Sequence, residues 1–75
     1  MFVKVDEIDK IVGMNIRIMR VKKSLSQEKL AELAGISPTT IGAVERGDKS
    51  STVQTLAKIA NVLRVDLYKL FIIEE

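Results

Sequence analysis

The sequence predicts an all-α fold class, a compact domain of five helices, and three observations support it. Hydrophobic residues make up 47% of the 75 positions, which is enough for a folded core rather than disorder. Apolar residues recur at helical spacing along most of the chain, and no pattern of consecutive strands is present. Residues that start and stop helices stand between these periodic stretches. A chain of this length is expected to form a single domain over residues 1–75.

The first helix is predicted to begin after a cap at Asp6 and to continue to about Lys23. Acidic residues in its first turn and lysines in its last turn suit the helix dipole. The preceding stretch MFVKV alternates weakly, so we expect an extended arm or a short first strand there. The buried stripe of the helix is expected to comprise Ile8, Ile11, Val12, Ile16 and Met19.

Two short helices that meet at a sharp corner are predicted at about residues 27–46. Ser26 is a suitable cap for the first of them, which opens at Gln27. Gly35 tolerates the left-handed conformation that ends a helix, so it is expected to form the corner. The apolar side of this helix is expected to carry Leu30, Leu33 and Ala34.

The second of these helices is predicted from Pro38 to about Glu45. Ser37 would cap it, Pro38 suits the first helical position, and Gly47 would stop it. Two helices at roughly 90–120° joined by a turn of three to four residues form a helix-turn-helix motif.

Two more helices are predicted after the polar loop DKSS. Thr52 would cap a fourth helix from about Val53 to Leu63, and Asp66 would cap a short fifth helix from Leu67 to about Phe71. The apolar face of the fourth helix is expected to carry Val53, Leu56, Ile59, Ala60 and Leu63.

The chain resembles the DNA-binding domain of the lambda-repressor/Cro-type (XRE-type) family. The resemblance runs through LSQEKLAELAGIS, TTI, the ERG of residues 45–47 and LAKIANVL, and it covers roughly residues 11–71. It implies a lambda-repressor-like fold that binds double-stranded DNA sequence-specifically, with the helix at about 38–45 as the recognition helix in the major groove. It also implies an ion pair between Arg20 and Glu45. The sequence departs from the family at Arg64, where a helix-ending glycine is usual. Arginine can take the left-handed conformation at some cost, so the departure leaves the local turn open but not the fold.

The resemblance divides the expected DNA contacts into two groups. Base contacts are expected from Ser37, Thr39, Thr40, Ala43 and Gln27. The recognition-helix side chains among them are short, so direct readout should be modest and DNA shape should contribute. Gly42 would let the backbone approach the DNA. Phosphate contacts are expected from Gln27, Lys29, Arg46, Lys49, Ser50, Ser51 and Arg17.

Composition restricts the class of function. The net charge is only +2, yet basic residues outnumber acidic ones by 11 to 5 between Lys10 and Ile73, as a phosphate-facing surface requires. There is no histidine, no cysteine, no nucleophile–base pair and no metal-ligand spacing, so neither an enzyme, a metal nor a cofactor is expected. The lack of cysteine, of a secretory signal and of a long apolar run suits a cytoplasmic protein.

The end of the chain is more apolar than one short helix needs. Part of it is expected to cover the first helix, and the remainder to form a homodimer contact, with Phe2 and Val3 as possible additions. Two recognition helices separated by one DNA turn, ~34 Å, would bind a palindromic operator. The expected dimer contacts are Leu67, Leu70, Phe71, Ile72 and Ile73.

Several biological settings are compatible with this interpretation. The expected function is a regulator, a repressor in the first instance, of its own or a neighbouring operon. The alternatives are the antitoxin of a toxin–antitoxin pair and the controller of a restriction–modification operon, each with a protein partner. Co-purification of a partner, or the identity of the neighbouring gene, would distinguish them. A phage or mobile-element repressor is also compatible. The operator and the choice between activation and repression stay open.

Overall fold

A computed structural model describes residues 2–73, which form four α-helices between two short 3-10 helices. The predicted five-helix count is therefore wrong, because the last segment is a 3-10 helix. No strand occurs within the described residues, and none of their helices is long and apolar enough to cross a membrane. The elements in order are an N-terminal 3-10 helix Val5–Glu7, α1 Ile8–Lys22, α2 Gln27–Ala34, α3 Pro38–Arg46, α4 Val53–Leu63 and a C-terminal 3-10 helix Leu67–Phe71.

Three predicted helix caps are confirmed. The hydroxyl of Ser26 accepts a hydrogen bond from the backbone N–H of Lys29 at 2.9 Å, which starts α2. Ser37 caps α3 in the same way through the N–H of Thr40, and Thr52 caps α4. Each cap satisfies an N–H group that has no partner inside its helix.

Two predicted caps are wrong. Asp6 lies inside the N-terminal 3-10 helix, and α1 begins after Glu7 without a side-chain cap. Asp66 precedes the C-terminal 3-10 helix but makes no capping hydrogen bond. In a 3-10 helix, side chains three residues apart eclipse one another. Leu67 and Leu70 therefore share one side of this segment, and that side packs on the core.

The core lies between the four α-helices and the C-terminal segment. Two residues predicted to be apolar core are exposed instead. Leu33 is 53% exposed because α2 turns Leu30, Ala31 and Ala34 inward. Val53 is exposed because it is the first residue of α4 and precedes the buried stripe. The core cluster comprises Val12, Ile16, Leu30, Ala31, Ile41, Val44, Leu56, Ile59, Ala60, Leu63 and Leu70.

Four residues adopt the left-handed backbone conformation. Gly35 and Gly47 end α2 and α3 with φ of 70° and 74°. Arg64 ends α4 with φ of 58°, so the arginine takes the left-handed conformation that was left open for this position. Ser24, in the turn after α1, has φ of 57° and was not predicted.

Gly13 lets α1 approach α3 closely. A Cβ atom at this position would lie 2.7 Å from the backbone oxygen of Glu45 and closer still to that of Val44. The two helices can therefore touch backbone to backbone only because this residue has no side chain. This contact fixes the end of α3 against the rest of the domain, and the sequence analysis did not identify it.

Candidate nucleic-acid interface

A left-handed glycine sets the angle between α2 and α3. The residues of the corner are Gly35, which takes the left-handed conformation, and Ile36, whose N–H donates to the carbonyl of Ala31 at 2.9 Å. This bond, from the residue after the glycine back to the last turn, closes the end of α2. The side chain of Ile36 packs against the core, so the chain turns before α3 begins. The two helices form the predicted helix-turn-helix, with α3 at the position of the recognition helix.

The ion pair between Arg20 and Glu45 is formed. Arg20 Nε donates to Glu45 Oε2 at 2.6 Å and Arg20 Nη2 donates to Glu45 Oε1 at 3.0 Å, a two-pronged contact between α1 and the end of α3. Arg20 Nη1 donates to the carbonyl of Leu25 at 2.7 Å. The Glu45 hydrogen bond raises the pKa of Arg20 above its usual value, although burial acts in the opposite direction. The pair therefore joins α1, the turn after it and α3.

Gln27 adds the start of α2 to this network. Its side-chain Nε2 donates to Glu45 Oε1 at 3.0 Å. Because an ionised carboxylate only accepts hydrogen bonds, the amide nitrogen has to face Glu45. The amide oxygen then lies beside α3, 3.7 Å from where a Cβ atom of residue 42 would be. Gln27 is thus held at the edge of a shallow cleft between α2 and α3, which Thr39, Gly42 and Arg46 also line.

The polar side chains at the start of α3 are not equally available. The hydroxyl of Ser37 donates to Thr40 Oγ1 at 2.8 Å while it caps the helix, so both hydroxyls are engaged in the cap. Ala43 is half-buried. Thr39 is exposed, lines the cleft, and its hydroxyl makes no hydrogen bond within residues 2–73. Of the expected base contacts on α3, Thr39 is the one most available to DNA.

The four cations expected to contact phosphate are all exposed. Lys29 forms an exposed ion pair with Glu32 at 3.3 Å, and Arg46 forms one with Asp48 at 2.8 Å. Such exposed pairs are weak and can exchange for a phosphate. Lys49 and Arg17 are exposed, and in the described part of the chain neither forms an ion pair.

The two serines expected to contact phosphate are placed differently. The hydroxyl of Ser50 donates to Asp9 Oδ2 at 2.6 Å, which ties the loop after α3 to the first turn of α1. The hydroxyl of Ser51 is buried. Neither side chain offers a free hydroxyl to DNA in this conformation, because one is engaged and the other is withdrawn from solvent.

The apolar end of the chain divides into three sides. Leu70 is fully buried and Leu67 packs against the core, so both are removed from the expected dimer contacts. Phe71 is exposed together with Tyr68, which lies three residues before it and so on the same side of the 3-10 helix. Tyr68 was not among the expected dimer contacts. A third side carries Lys69, Ile72 and Ile73 and lines a groove along α1. Phe2 and Val3 are exposed.

Asn15 holds this last segment against α1. Its side-chain Nδ2 donates to the backbone oxygens of Leu70 and Ile72, both at 2.9 Å.

No group of three or more acidic, histidine or cysteine residues that could hold a metal ion occurs within residues 2–73.

Comparisons with known proteins identify similar chains in bacteria. A family model described as helix-turn-helix matches residues 16–70. The chain is 41% identical over 64 residues to the control protein C.SmaI of Serratia marcescens, which covers 85% of this chain and 76% of that protein. It is 36% identical over 62 residues to a hypothetical transcription factor of Neisseria meningitidis, covering 83% of this chain and 58% of that protein. It is also 33% identical over 60 residues to the Escherichia coli transcriptional regulator SutR, of which it spans only 34%.

Two solved structures share the fold over most of the chain. The restriction-modification controller protein C.AhdI from Aeromonas hydrophila superposes with a TM-score of 0.82 at 35% identity, covering 84% of this chain and 96% of that one. The hypothetical transcription factor NHTF from Neisseria superposes with a TM-score of 0.84 at 30% identity, covering 96% of this chain and 84% of that one.

Proposed function

Because this chain belongs to the helix-turn-helix family, we propose that it is a transcription regulator that binds double-stranded DNA sequence-specifically, with α3 as its recognition helix. The single observation that best supports this is the face of α3 beside α2. There, Thr39 is exposed at the start of α3. It lines a cleft together with Gln27 of α2 and with Arg46 at the other end of α3. An α-helix with outward polar residues at its N-terminal end fits the major groove.

The contacts divide between specificity and affinity. Thr39 and the held amide of Gln27 approach base edges, where threonine offers one hydrogen bond and a methyl group for thymine. Positive charge for the phosphates comes from Lys29, Arg46, Lys49 and Arg17. Contacts to phosphates fix the register of the protein on the DNA and carry little sequence information. Ser37, Thr40 and Ala43 contribute chiefly through the shape and position of the helix start.

A second copy of the chain would complete the DNA site. We place the dimer contact on Phe71 and Tyr68, which share one exposed side of the C-terminal 3-10 helix. One recognition helix spans only a few base pairs, so two of them on a palindromic operator give useful affinity. Repression of its own or a neighbouring operon is the action we propose, in the cytoplasm where the chromosome of its bacterial relatives lies.

One narrower function is favoured by specific observations. C.SmaI is a control protein, C.AhdI is a restriction-modification controller, and the chain covers 76% and 96% of their respective lengths. A controller of a restriction–modification operon is therefore the second candidate. It shares the DNA-binding mechanism proposed above and differs from the antitoxin alternative in the neighbouring genes that it would regulate.

Two single substitutions test the division between specificity and affinity. Lys49→Ala is expected to weaken binding about equally for all duplexes and to reduce the slope of log affinity against log salt by about 1, because one phosphate contact is lost. Thr39→Ala is expected to change the ranking of duplexes instead. Titration of both variants against one set of duplexes at several salt concentrations measures this. If the two variants gave the same profile, the proposed division would be wrong.

A further inference from the structure

The outer side of α1 carries a second apolar stripe in addition to the one in the core. Its members are Ile11, Met14, Ile18 and Val21, with spacings of three, four and three residues. Met14, Ile18 and Val21 are 56%, 45% and 58% exposed. This is the spacing by which one helix packs lengthwise against another helix, yet three of the four members stay exposed among residues 2–73 and only Ile11 is half-buried.

Three members of the stripe, Ile11, Met14 and Ile18, form one wall of a groove. Ile72 and Ile73 form the opposite wall, and the hydrogen bonds from Asn15 to the backbone of Leu70 and Ile72 hold that wall in place. From Ile11 to Val21 the stripe is about 15 Å long at 1.5 Å per residue, so it matches about three turns of a second helix.

The groove lies away from the DNA-binding face. Gly13 and Arg20 are two residues of α1 that touch α3. At 100° per residue, the centre of the exposed stripe is about 130° around the helix from these two residues. An occupant of the groove and DNA on α3 can therefore bind at the same time.

The charge of the rim selects the kind of occupant. Among residues 2–73, the charged side chains that line the groove are Lys10, Lys22 and Lys69 and one acid, Glu7. In the part of the chain that the structure describes, none of the three lysines forms an ion pair. A second copy of α1 laid along the stripe would bring lysines against lysines, and such like-charge contacts are costly.

We propose that this groove binds an amphipathic helix with acidic flanks from a partner protein. The apolar seam of that helix would pack on the stripe between Ile11 and Val21, and its carboxylates would pair with the lysines of the rim. This mode of recognition is a helix laid into a groove, with anchors at helical spacing. The proposal is independent of the DNA-binding function, because the groove and α3 lie on different sides of α1.

Two synthetic peptides test the proposal. Both are 18-residue helices with leucine at the seam positions. One carries glutamate at the flanking positions and the other carries lysine there. Fluorescence anisotropy with the full chain is expected to give a Kd for the glutamate peptide at least about tenfold lower than for the lysine peptide, and this difference should shrink at high salt. Equal affinity of the two peptides, or no binding of the glutamate peptide, would overturn the proposal.

Matched variants locate the binding. The double substitution Met14→Gln and Ile18→Gln is expected to raise the Kd of the glutamate peptide at least about tenfold, because the leucine seam of the peptide loses its apolar partner. Val53→Gln, at a residue that is 67% exposed on α4 outside the groove, is the control and should leave the peptide Kd unchanged. Lys22→Glu with Lys69→Glu should reverse the preference in favour of the lysine peptide. A preference that survived this charge reversal would exclude the rim as its source.

Two further measurements address other occupants. Glu74 and Glu75 lie outside the described residues, so the chain with Glu74→Gln and Glu75→Gln is tested as well. Peptide binding that appeared only in this variant would show that the chain's own end occupies the groove. Sedimentation of the Met14→Gln, Ile18→Gln variant should give the same mass as the unaltered chain. A change from dimer to monomer would instead identify the groove as the dimer contact.

Discussion

Arg20 shows how one side chain connects several parts of this domain. Its guanidinium reaches Glu45 with two nitrogens and Leu25 with the third, and the Glu45 side chain is only 2% exposed. Gln27 uses the same carboxylate. Loss of the arginine would leave a buried, unpaired carboxylate and would also release the amide that lines the DNA-facing cleft.

Arg20→Ala is expected to lower the free energy of unfolding by about 3–5 kcal/mol, the usual result of removing one partner of a buried ion pair. Thermal melting followed by circular dichroism measures the change. Arg17→Ala, at an exposed arginine on the same helix, is the control and should alter stability by less than about 0.5 kcal/mol. An unchanged melting temperature for Arg20→Ala would contradict the role given to this pair.

The ion pair between Arg20 and Glu45 is expected to make the free energy of unfolding depend little on pH in the neutral range. The pKa of Arg20 is raised in the folded state, so its stabilising contribution is fully present below the ordinary arginine pKa. It is lost only as the pH rises through the raised value, which lies far above neutrality.

Arg64 is a residue whose backbone conformation is unfavourable for its type. It ends α4 with φ of 58°, and a left-handed non-glycine residue costs roughly 1–2 kcal/mol. Arg64→Gly is expected to raise stability by about 0.5–1 kcal/mol, since the flexibility of glycine in the unfolded chain offsets part of the relief. Denaturant unfolding measures this. Arg64→Ala still places a residue with a Cβ atom in the left-handed conformation, so it should not raise stability. An increase in stability equal to that of Arg64→Gly would refute the explanation.

At the scale of the helices, the caps that start the α-helices α2, α3 and α4 could be predicted, whereas the caps assigned to the two 3-10 segments could not. Ser26, Ser37 and Thr52 act through a bond to a residue three positions later, so the sequence alone identifies them. Asp6 and Asp66 have the right chemistry but precede 3-10 helices or lie inside one, and periodicity over three to five residues cannot distinguish that state from an α-helix.

The contact between α1 and α3 could not be predicted from local pattern. Gly13 stands in a helical stretch with no turn signal near it, and its role depends on two carbonyl groups more than thirty residues away. Gly42 also lies inside a helix, but a Cβ atom there would meet only the ends of two flexible side chains, Arg46 Nη1 at 3.2 Å and Gln27 Oε1 at 3.7 Å. The two glycines look alike in sequence and differ in what surrounds them.

Alanine substitutions separate these two glycines. Gly13→Ala is expected to destabilise the fold by roughly 1–3 kcal/mol, because the new methyl group meets backbone that cannot move aside and α1 is displaced from α3. Gly42→Ala is expected to keep or raise stability by up to about 1 kcal/mol, since alanine is the better helix former. Melting temperatures of the two variants provide the measurement. A Gly13→Ala protein as stable as the Gly42→Ala protein would contradict the close approach.

At the scale of the whole molecule, the family resemblance predicted the helix-turn-helix and the ion pair, while the exposed surfaces needed coordinates. Leu33 and Val53 match helical apolar spacing yet face solvent, because spacing does not say which neighbour is present. Part of the apolar end of the chain was predicted to cover the first helix and the remainder to form the dimer contact, whereas its side chains point to the core, to the side of Tyr68 and Phe71, and to the groove along α1.

The dimer contact can be tested by one exposed substitution. Light scattering at micromolar concentration is expected to give twice the mass of one chain, because the side carrying Tyr68 and Phe71 is apolar and uncovered within residues 2–73. Phe71→Ser should shift the mass toward that of a monomer and weaken DNA binding. Leu33→Ser, at an exposed leucine on α2, should leave the mass unchanged. A monomeric unaltered chain would remove this contact from the account.

Selection of bound duplexes from a random DNA pool tests the central claim most directly, that α3 binds in the major groove of a specific DNA sequence. The account predicts enrichment of one family of inverted repeats with half-sites about one helical turn apart, bound with an affinity that falls as salt rises. Failure to enrich any sequence, together with no affinity for duplex DNA in dilute buffer, would contradict it.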